Sequence, residues 1–163
     1  MKYYSTNKQA PLASLEEAVV KGLAGDKGLY MPEHIRPLDK DTISGLKNKS
    51  FHEIACTAAQ AFFGEDIEPE TLDAIVRDTL SFETPVVPVR DNIYSLELFH
   101  GPTLAFKDVG GRFMARLLGY FIKKEGLKQV NVLVATSDGV EQVIILGQGC
   151  RLISSRELEQ ELE

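Results

Sequence analysis

The stretch from Leu98 to Phe113, LFHGPTLAFKDVGGRF, decides how the second half of this chain is interpreted. Residues 93–99 alternate and then end in apolar residues, a pattern that predicts a strand. From Phe113 to Lys124 the apolar residues recur at helical spacing, which predicts a helix. Lys107 therefore falls at or just before the start of a helix.

A lysine in that position has a specific chemical use. The partial positive charge of a helix N-terminus disfavours a neighbouring ammonium and lowers its pKa. A neutral amine is the form that adds to a carbonyl group. Gly110 and Gly111 each cost about 1 kcal/mol relative to alanine in a helix, which suggests close approach of another group to this backbone. Composition alone favours a plainer interpretation, in which Lys107 is a partly buried structural lysine.

The sequence of this stretch resembles the active-site segment of the threonine synthase family. Its members are pyridoxal-phosphate (PLP) enzymes of the tryptophan-synthase-β-like fold, fold type II. The resemblance extends to YYSTN at Tyr3 to Asn7 and to LEEAVVKGLAGDKGLYMPE at Leu15 to Glu33. It covers roughly residues 1 to 137 and then stops. In that family the lysine of the F-K-D triplet, here Lys107, forms the internal aldimine with the cofactor.

The resemblance implies a reaction as well as a cofactor. Threonine synthases convert O-phospho-L-homoserine and water into L-threonine and phosphate. Lys107 would be both the cofactor anchor and the group that moves protons at Cα and Cβ. Thr136 and Ser137 would help to bind the substrate carboxylate. The YYSTN opening and the LFHGPTLAFKD wording favour threonine synthase over other fold type II enzymes, such as threonine dehydratase or cysteine synthase.

The expected fold class is α/β (α+β overall), in two regions. Residues 1–80 should form a helical N-terminal region, since Ser14 with Glu17 and Ser50 with Glu53 are capping boxes. Residues 81–163 should form an incomplete fold type II domain. Its strand at 93–99, the Lys107 helix and the apolar run at 130–135 predict a βαβ unit, with the chemistry at the carboxyl ends of the strands.

The match to the family breaks at a definite place. Family members continue the strand at 130–135 into a T-S-G-D-T-G turn, whereas here Thr136 and Ser137 are followed by Asp138-Gly139-Val140. The tail from about residue 138 resembles nothing in the family. The glycine-rich loop for the cofactor phosphate and the hydroxyl residue facing the pyridine nitrogen have no counterpart in the chain. We therefore expect this chain itself to be inactive, and the alternative function is a non-catalytic fragment or interaction domain.

Composition restricts the remaining function classes. The net charge of −6, without a basic run longer than Lys123-Lys124, argues against non-specific binding to nucleic acid or to an anionic membrane. No apolar run approaches the roughly 20 residues that span a bilayer, and MKYYSTNK has no secretory h-region. Cys56 and Cys150 are too few and too far apart for a disulfide framework or a metal site. A small-molecule substrate and a cytoplasmic location are expected.

Four polar residues around Lys107 leave alternatives open. His100 could hydrogen-bond near the cofactor or simply hold the loop. Asp108 is expected to be the helix cap rather than a catalytic acid. Arg112 and Arg116, at i and i+4, are usually solvated or paired, and one of them is a minor candidate for contact with a substrate phosphate.

Overall fold

The structure is a computed structural model that describes residues 1–126 and two short strands at 133–135 and 151–153. The chain divides into two compact units, Met1–Phe121 and Ile122–Glu163. The helices are α1 (Leu15–Lys21), α2 (Lys40–Gly45), α3 (Phe51–Phe63), α4 (Pro69–Thr79) and α5 (Lys107–Lys124), with a 3-10 turn at Leu46–Asn48. The strands are β1 (Tyr3–Ser5), β2 (Tyr30–Pro32), β3 (Val86–Arg90), β4 (Ile93–Leu96), β5 (Leu133–Ala135) and β6 (Arg151–Ile153).

Two helices of the first 80 residues begin at capping boxes. Ser14 with Glu17 and Ser50 with Glu53 both form complete capping boxes, at the starts of α1 and α3. Gly22 ends α1 at a φ of 72°, a conformation that glycine adopts without steric cost. Helices make up most of the regular secondary structure within residues 1–80.

Asp26 connects the N-terminal strand to the turn that precedes β2 through hydrogen bonds. Its carboxylate accepts the Ser5 hydroxyl at 2.5 Å and the backbone N–H groups of Gln9 and Ala10 at 2.8 and 2.9 Å. The hydrogen bond from Ser5, followed by those from the backbone, lowers the pKa of Asp26 to about 2. A Cβ on Gly28 would lie 2.0 Å from the Ser5 hydroxyl, so only glycine fits this turn. The Asp26 carboxylate therefore links the YYSTN segment to the GDKG turn.

The core of the first unit forms where α3, α4 and α5 meet the N-terminal strand. Leu72 is fully buried and Phe121 is 2% exposed. The rings of Phe63 on α3 and Phe113 on α5 lie 5.2 Å apart between centroids. The buried apolar cluster comprises Tyr3, Leu15, Ala59, Ile67, Leu72, Ile75, Val76, Leu80, Leu117 and Phe121. The helix that begins at Lys107 is therefore anchored in this core by its second half.

Among the described residues, the two strands of the predicted βαβ unit pair with other strands. β4 pairs antiparallel with β3 as a hairpin, and β5 pairs in parallel with β6. Only Asp91, at a φ of 46°, and Asn92 separate β3 from β4. Such a short connection closes a hairpin, whereas parallel neighbours need a crossover of a dozen or more residues. Apolar alternation predicts a strand but does not specify its partner.

Within residues 1–126, no helix combines the length and the apolar character needed to cross a bilayer.

Candidate functional site

Lys107 is the first residue of α5, and its side chain is exposed. The predicted location at a helix start is therefore confirmed. The alternative of a partly buried structural lysine is wrong, because the apolar neighbours in sequence do not cover the side chain. Lys107 is thus an exposed residue at the start of α5.

The loop before Lys107 folds back onto the first turn of α5 through Asp108. The Asp108 side chain is buried, at 5% exposure, and accepts the Thr103 N–H at 2.8 Å. A Cβ on Gly101 would lie 2.5 Å from the Asp108 Oδ2 and 2.9 Å from its Cβ. Leu104 N–H donates to the Gly101 carbonyl at 3.0 Å. Asp108 lies inside the helix, one residue after its start, so the prediction that Asp108 is the helix cap is wrong. Its buried carboxylate instead holds the preceding loop.

The tip of this loop carries two apolar side chains outward. Leu104 is 78% exposed and Phe106 is 75% exposed. Leu104 also has a φ of 54°, in the left-handed region that branched or bulky residues rarely adopt. The loop is therefore held in a shape that exposes apolar surface on both sides of Ala105.

His100 is held by a carboxylate at the other end of the loop. Its Nε2 lies 2.7 Å from the Glu97 Oε2, and its ring stacks on Phe99 with centroids 4.7 Å apart. Of the two roles left open by the sequence, these contacts favour the one in which His100 holds the loop.

Arg112 and Arg116 join α5 to the end of α4. Arg112 donates to the carbonyls of Thr79 and Asp78 at 3.0 and 2.7 Å and to the Ser81 hydroxyl at 2.8 Å. Arg116 pairs with the Asp78 carboxylate. A cation at a helix C-terminus satisfies carbonyls that lack intrahelical partners. Both arginines are therefore paired within the described residues, as the first of the two interpretations expects.

The first turns of α5 are open beyond Lys107. A Cβ built on Gly110 or on Gly111 meets nothing within 4 Å among the described residues. Both glycines are exposed, and Met114, one turn further along the helix, is 64% exposed. No group within the described part of the chain makes the close approach that these glycines allow.

Two of the predicted site residues cannot be compared with this geometry. Thr136 and Ser137 lie outside the described residues, so their role in binding the substrate carboxylate stays a prediction. Residues 1–126 contain no group of three or more histidine, cysteine and carboxylate side chains arranged to hold a metal ion.

Sequence reasoning missed the contact between Gly101 and Asp108. It also missed the hydrogen bonds that the Asp26 carboxylate accepts. A G-P pair at residues 101–102 and a D-K-G run at 26–28 mark turns. Neither signal tells which side chain will be buried against the turn.

Two family models match separate parts of the chain. The model described as threonine synthase N terminus matches residues 2–80. The model described as YacP-like NYN domain matches residues 117–163. The second match begins inside α5, ten positions beyond Lys107, and contains the whole tail that resembles nothing in the threonine synthase family.

Curated relatives extend the first match past Lys107. The threonine synthase of Escherichia coli K12 is 38% identical over 137 residues, which are 84% of this chain and 31% of that protein. The threonine synthase of Haemophilus influenzae is 39% identical over 137 residues, again 31% of its length. This chain thus spans about a third of the length of the curated relatives that it matches.

Solved structures agree with the relatives. PLP-bound threonine synthase from Brucella melitensis superposes with a TM-score of 0.80 at 32% identity, covering 94% of this chain and 35% of that one. Threonine synthase from Escherichia coli superposes with a TM-score of 0.79 at 33% identity, covering 36% of its chain. The predicted α/β class, with its α+β character, is therefore confirmed. By these matches the N-terminal part of the chain is similar to threonine synthases in sequence and in fold.

Proposed function

We propose that this chain carries the cofactor-anchoring lysine of a PLP-dependent threonine synthase of fold type II, and that Lys107 is that lysine. The observation that supports the proposal best is the place of Lys107, exposed at the first position of a helix anchored in the core. The substrates would be O-phospho-L-homoserine and water, and the products L-threonine and phosphate. The two cysteines in 163 residues fit a reducing cytoplasm.

The residues present fit covalent attachment of PLP and leave the rest of its binding to other segments. Attachment needs an accessible amine, which Lys107 provides, and room beside it, which Gly110 and Gly111 leave open. Neither a glycine-rich phosphate loop nor a hydroxyl partner for the ring nitrogen is recognisable in the sequence. The fit is therefore to the anchor alone. When bound, PLP supplies an electron sink for negative charge that develops at the substrate carbons.

The described residues would contribute orientation and proton transfer. Asp108 and Gly101 fix the loop that leads into Lys107, and α5 is held to α4 by Arg112. Lys107 Nζ would carry protons to and from the substrate carbons beside the cofactor. Orientation of this kind can lower a barrier by roughly 7–11 kcal/mol, provided that all the reacting groups are held together. One fixed lysine does not supply that, so the chain by itself should not turn over.

The second candidate function is a non-catalytic fragment or interaction domain. It is favoured by the second family match, at residues 117–163, which begins inside α5. The two candidates differ in whether Lys107 can serve in a completed enzyme.

A covalent hybrid tests the proposal. Residues 1–126 of this chain would replace the equivalent N-terminal portion of Escherichia coli threonine synthase, and phosphate release from O-phospho-L-homoserine would be measured with added PLP. We expect activity that Lys107→Ala reduces at least a thousandfold. The matched control is Lys40→Ala, since Lys40 is also an exposed lysine at the first position of a helix, followed by an aspartate. A hybrid that stays active with Lys107→Ala would exclude Lys107 as the anchor.

A further inference from the structure

The segment that leads into α5 is closed on itself by hydrogen bonds. We call residues 101–108 the lysine loop. The Leu104 N–H donates to the Gly101 carbonyl at 3.0 Å, which is a bond between backbone groups. The Thr103 N–H donates to the Asp108 Oδ2 at 2.8 Å, which is a bond to a side chain. The Asp108 carboxyl group therefore joins the first turn of α5 back to the loop that precedes it.

Asp108 is buried although the residues that precede it are exposed. Leu104, Phe106 and Lys107 are all exposed, whereas the Asp108 side chain is covered. It approaches Gly101 so closely that a Cβ there would lie 2.5 Å from the Asp108 Oδ2. A carboxyl group taken out of water costs free energy unless it is hydrogen-bonded. The burial of Asp108 therefore depends on its contact with the loop, and that contact holds the backbone beside Lys107 in one place.

Leu104 is held in an unfavourable backbone conformation three residues before Lys107. Its φ of 54° lies in the left-handed region, which leucine rarely adopts. A strained residue of this kind persists only where the surrounding contacts over-determine it, and such residues cluster at functional sites. Two contacts hold it here, since its own N–H is bonded to Gly101 and the preceding residue is bonded to Asp108. The lysine loop is therefore kept in one shape by contacts that outweigh local strain.

We propose that Asp108 is a positioning residue for Lys107, an inference that rests on the proposed function. The two residues share a peptide bond, so the contact of Asp108 with the loop fixes the point from which the Lys107 side chain extends. The lysine amine lies at the end of a flexible aliphatic stem, so its position depends on where that stem begins. A misplacement of about 1 Å can cost roughly a hundredfold in rate. Asp108 acts through Lys107 and touches neither substrate nor cofactor.

The order of the loop in the full 163-residue chain tests this positioning without cofactor or substrate. The measurement is ¹⁵N relaxation of the backbone amides in the parent and in Asp108→Ala. The order parameters of the amides at residues 103–107 should fall from about 0.85 to below about 0.6, the range of a flexible backbone. The matched control is Asp39→Ala, because the Asp39 carboxylate also accepts a backbone N–H at a helix start, from Thr42 at 2.7 Å. That control should leave the lysine loop ordered.

Kinetics of the hybrid with Escherichia coli threonine synthase separate positioning from a general loss of stability. Asp108→Ala should lower kcat roughly tenfold or more and leave KM within about twofold, because lost orientation acts in the transition state. Asp108→Asn should keep kcat within about threefold, since its amide oxygen can still accept the Thr103 N–H. Asp108→Glu keeps the charge but not its placement beside Gly101, so it should resemble Asp108→Ala and serves in its place if that variant does not fold. Asp39→Ala should leave kcat and KM unchanged.

The outcomes distinguish this inference from the proposed function. A hybrid that stays active with Lys107→Ala overturns the proposed function, while the order parameters still decide whether Asp108 holds the loop. Loop amides that stay ordered in Asp108→Ala, or equal losses of kcat in Asp108→Ala and Asp39→Ala, overturn the positioning role and leave Lys107 as the anchor. Equal losses of kcat in Asp108→Asn and Asp108→Ala overturn it too, since the hydrogen bond from Thr103 would then not be the contact that matters.

Discussion

Gly101→Ala should displace the loop that precedes Lys107 and lower the free energy of unfolding. The new Cβ would lie 2.5 Å from the Asp108 Oδ2 and 2.9 Å from its Cβ and Cγ. The Asp108 Cβ is fixed to the helix backbone, so rotation of a flexible side-chain end does not relieve this contact. The loop or the start of α5 must shift.

The magnitude follows from two terms. Overpacking of this kind typically costs about 1–3 kcal/mol. Displacing the buried carboxylate from the Thr103 N–H removes a charge-assisted hydrogen bond worth roughly 1.5–3 kcal/mol. The two are coupled and do not add fully, so we expect a loss of about 3 kcal/mol in the free energy of unfolding. For a chain of this size the melting temperature would fall by about 6–12 °C.

The assay is urea-induced unfolding of the full chain, followed by far-UV circular dichroism. Gly110→Ala is the control, because its Cβ meets nothing within 4 Å and alanine favours the helix by about 1 kcal/mol. The two substitutions should therefore change stability in opposite directions. If Gly101→Ala unfolds within 0.5 kcal/mol of the parent, on the order of ordinary surface substitutions, the contact with Asp108 does not hold the loop.

Three further predictions concern other sites. The purified chain with added PLP should release no phosphate from O-phospho-L-homoserine above a Lys107→Ala control, and turnover near that of a full-length relative would contradict the view that other segments are required. Because the pKa of Asp26 is depressed to about 2 from 3.8, its contribution to stability is present above pH 4 and lost as the pH falls from about 4 to 2. Asp26→Asn should thus flatten the unfolding free energy over that range, and a parent whose stability does not change there would refute the role of Asp26. Burial, and then the neighbouring Asp73 carboxylate, raises the pKa of the Cys56 thiol to about 11. Alkylation by iodoacetamide at pH 8 should therefore be far slower than for a free cysteine, and a rate equal to that of a free cysteine would refute this.

The sequence by itself determined the local structure around the helix starts. Ser14 and Ser50 each cap a helix with a glutamate three residues later, and these contacts depend on spacing alone. The F-K-D triplet led to the prediction for Lys107 and to the threonine synthase resemblance, and the structure places Lys107 at the helix start that the apolar spacing of α5 predicts. Such features are readable because every interacting partner lies within a few residues along the chain.

Only the tertiary structure decided which distant groups meet. The burial of Asp108 against Gly101 and the contacts of Arg112 with the end of α4 join residues whose sequence positions carry no mark of one another. Exposure is likewise a tertiary property, because Phe121 is buried and Phe106 exposed although both are phenylalanines flanked by an apolar residue. Burial depends on what packs against a residue from elsewhere in the chain, and alternation or composition along the sequence does not contain that information.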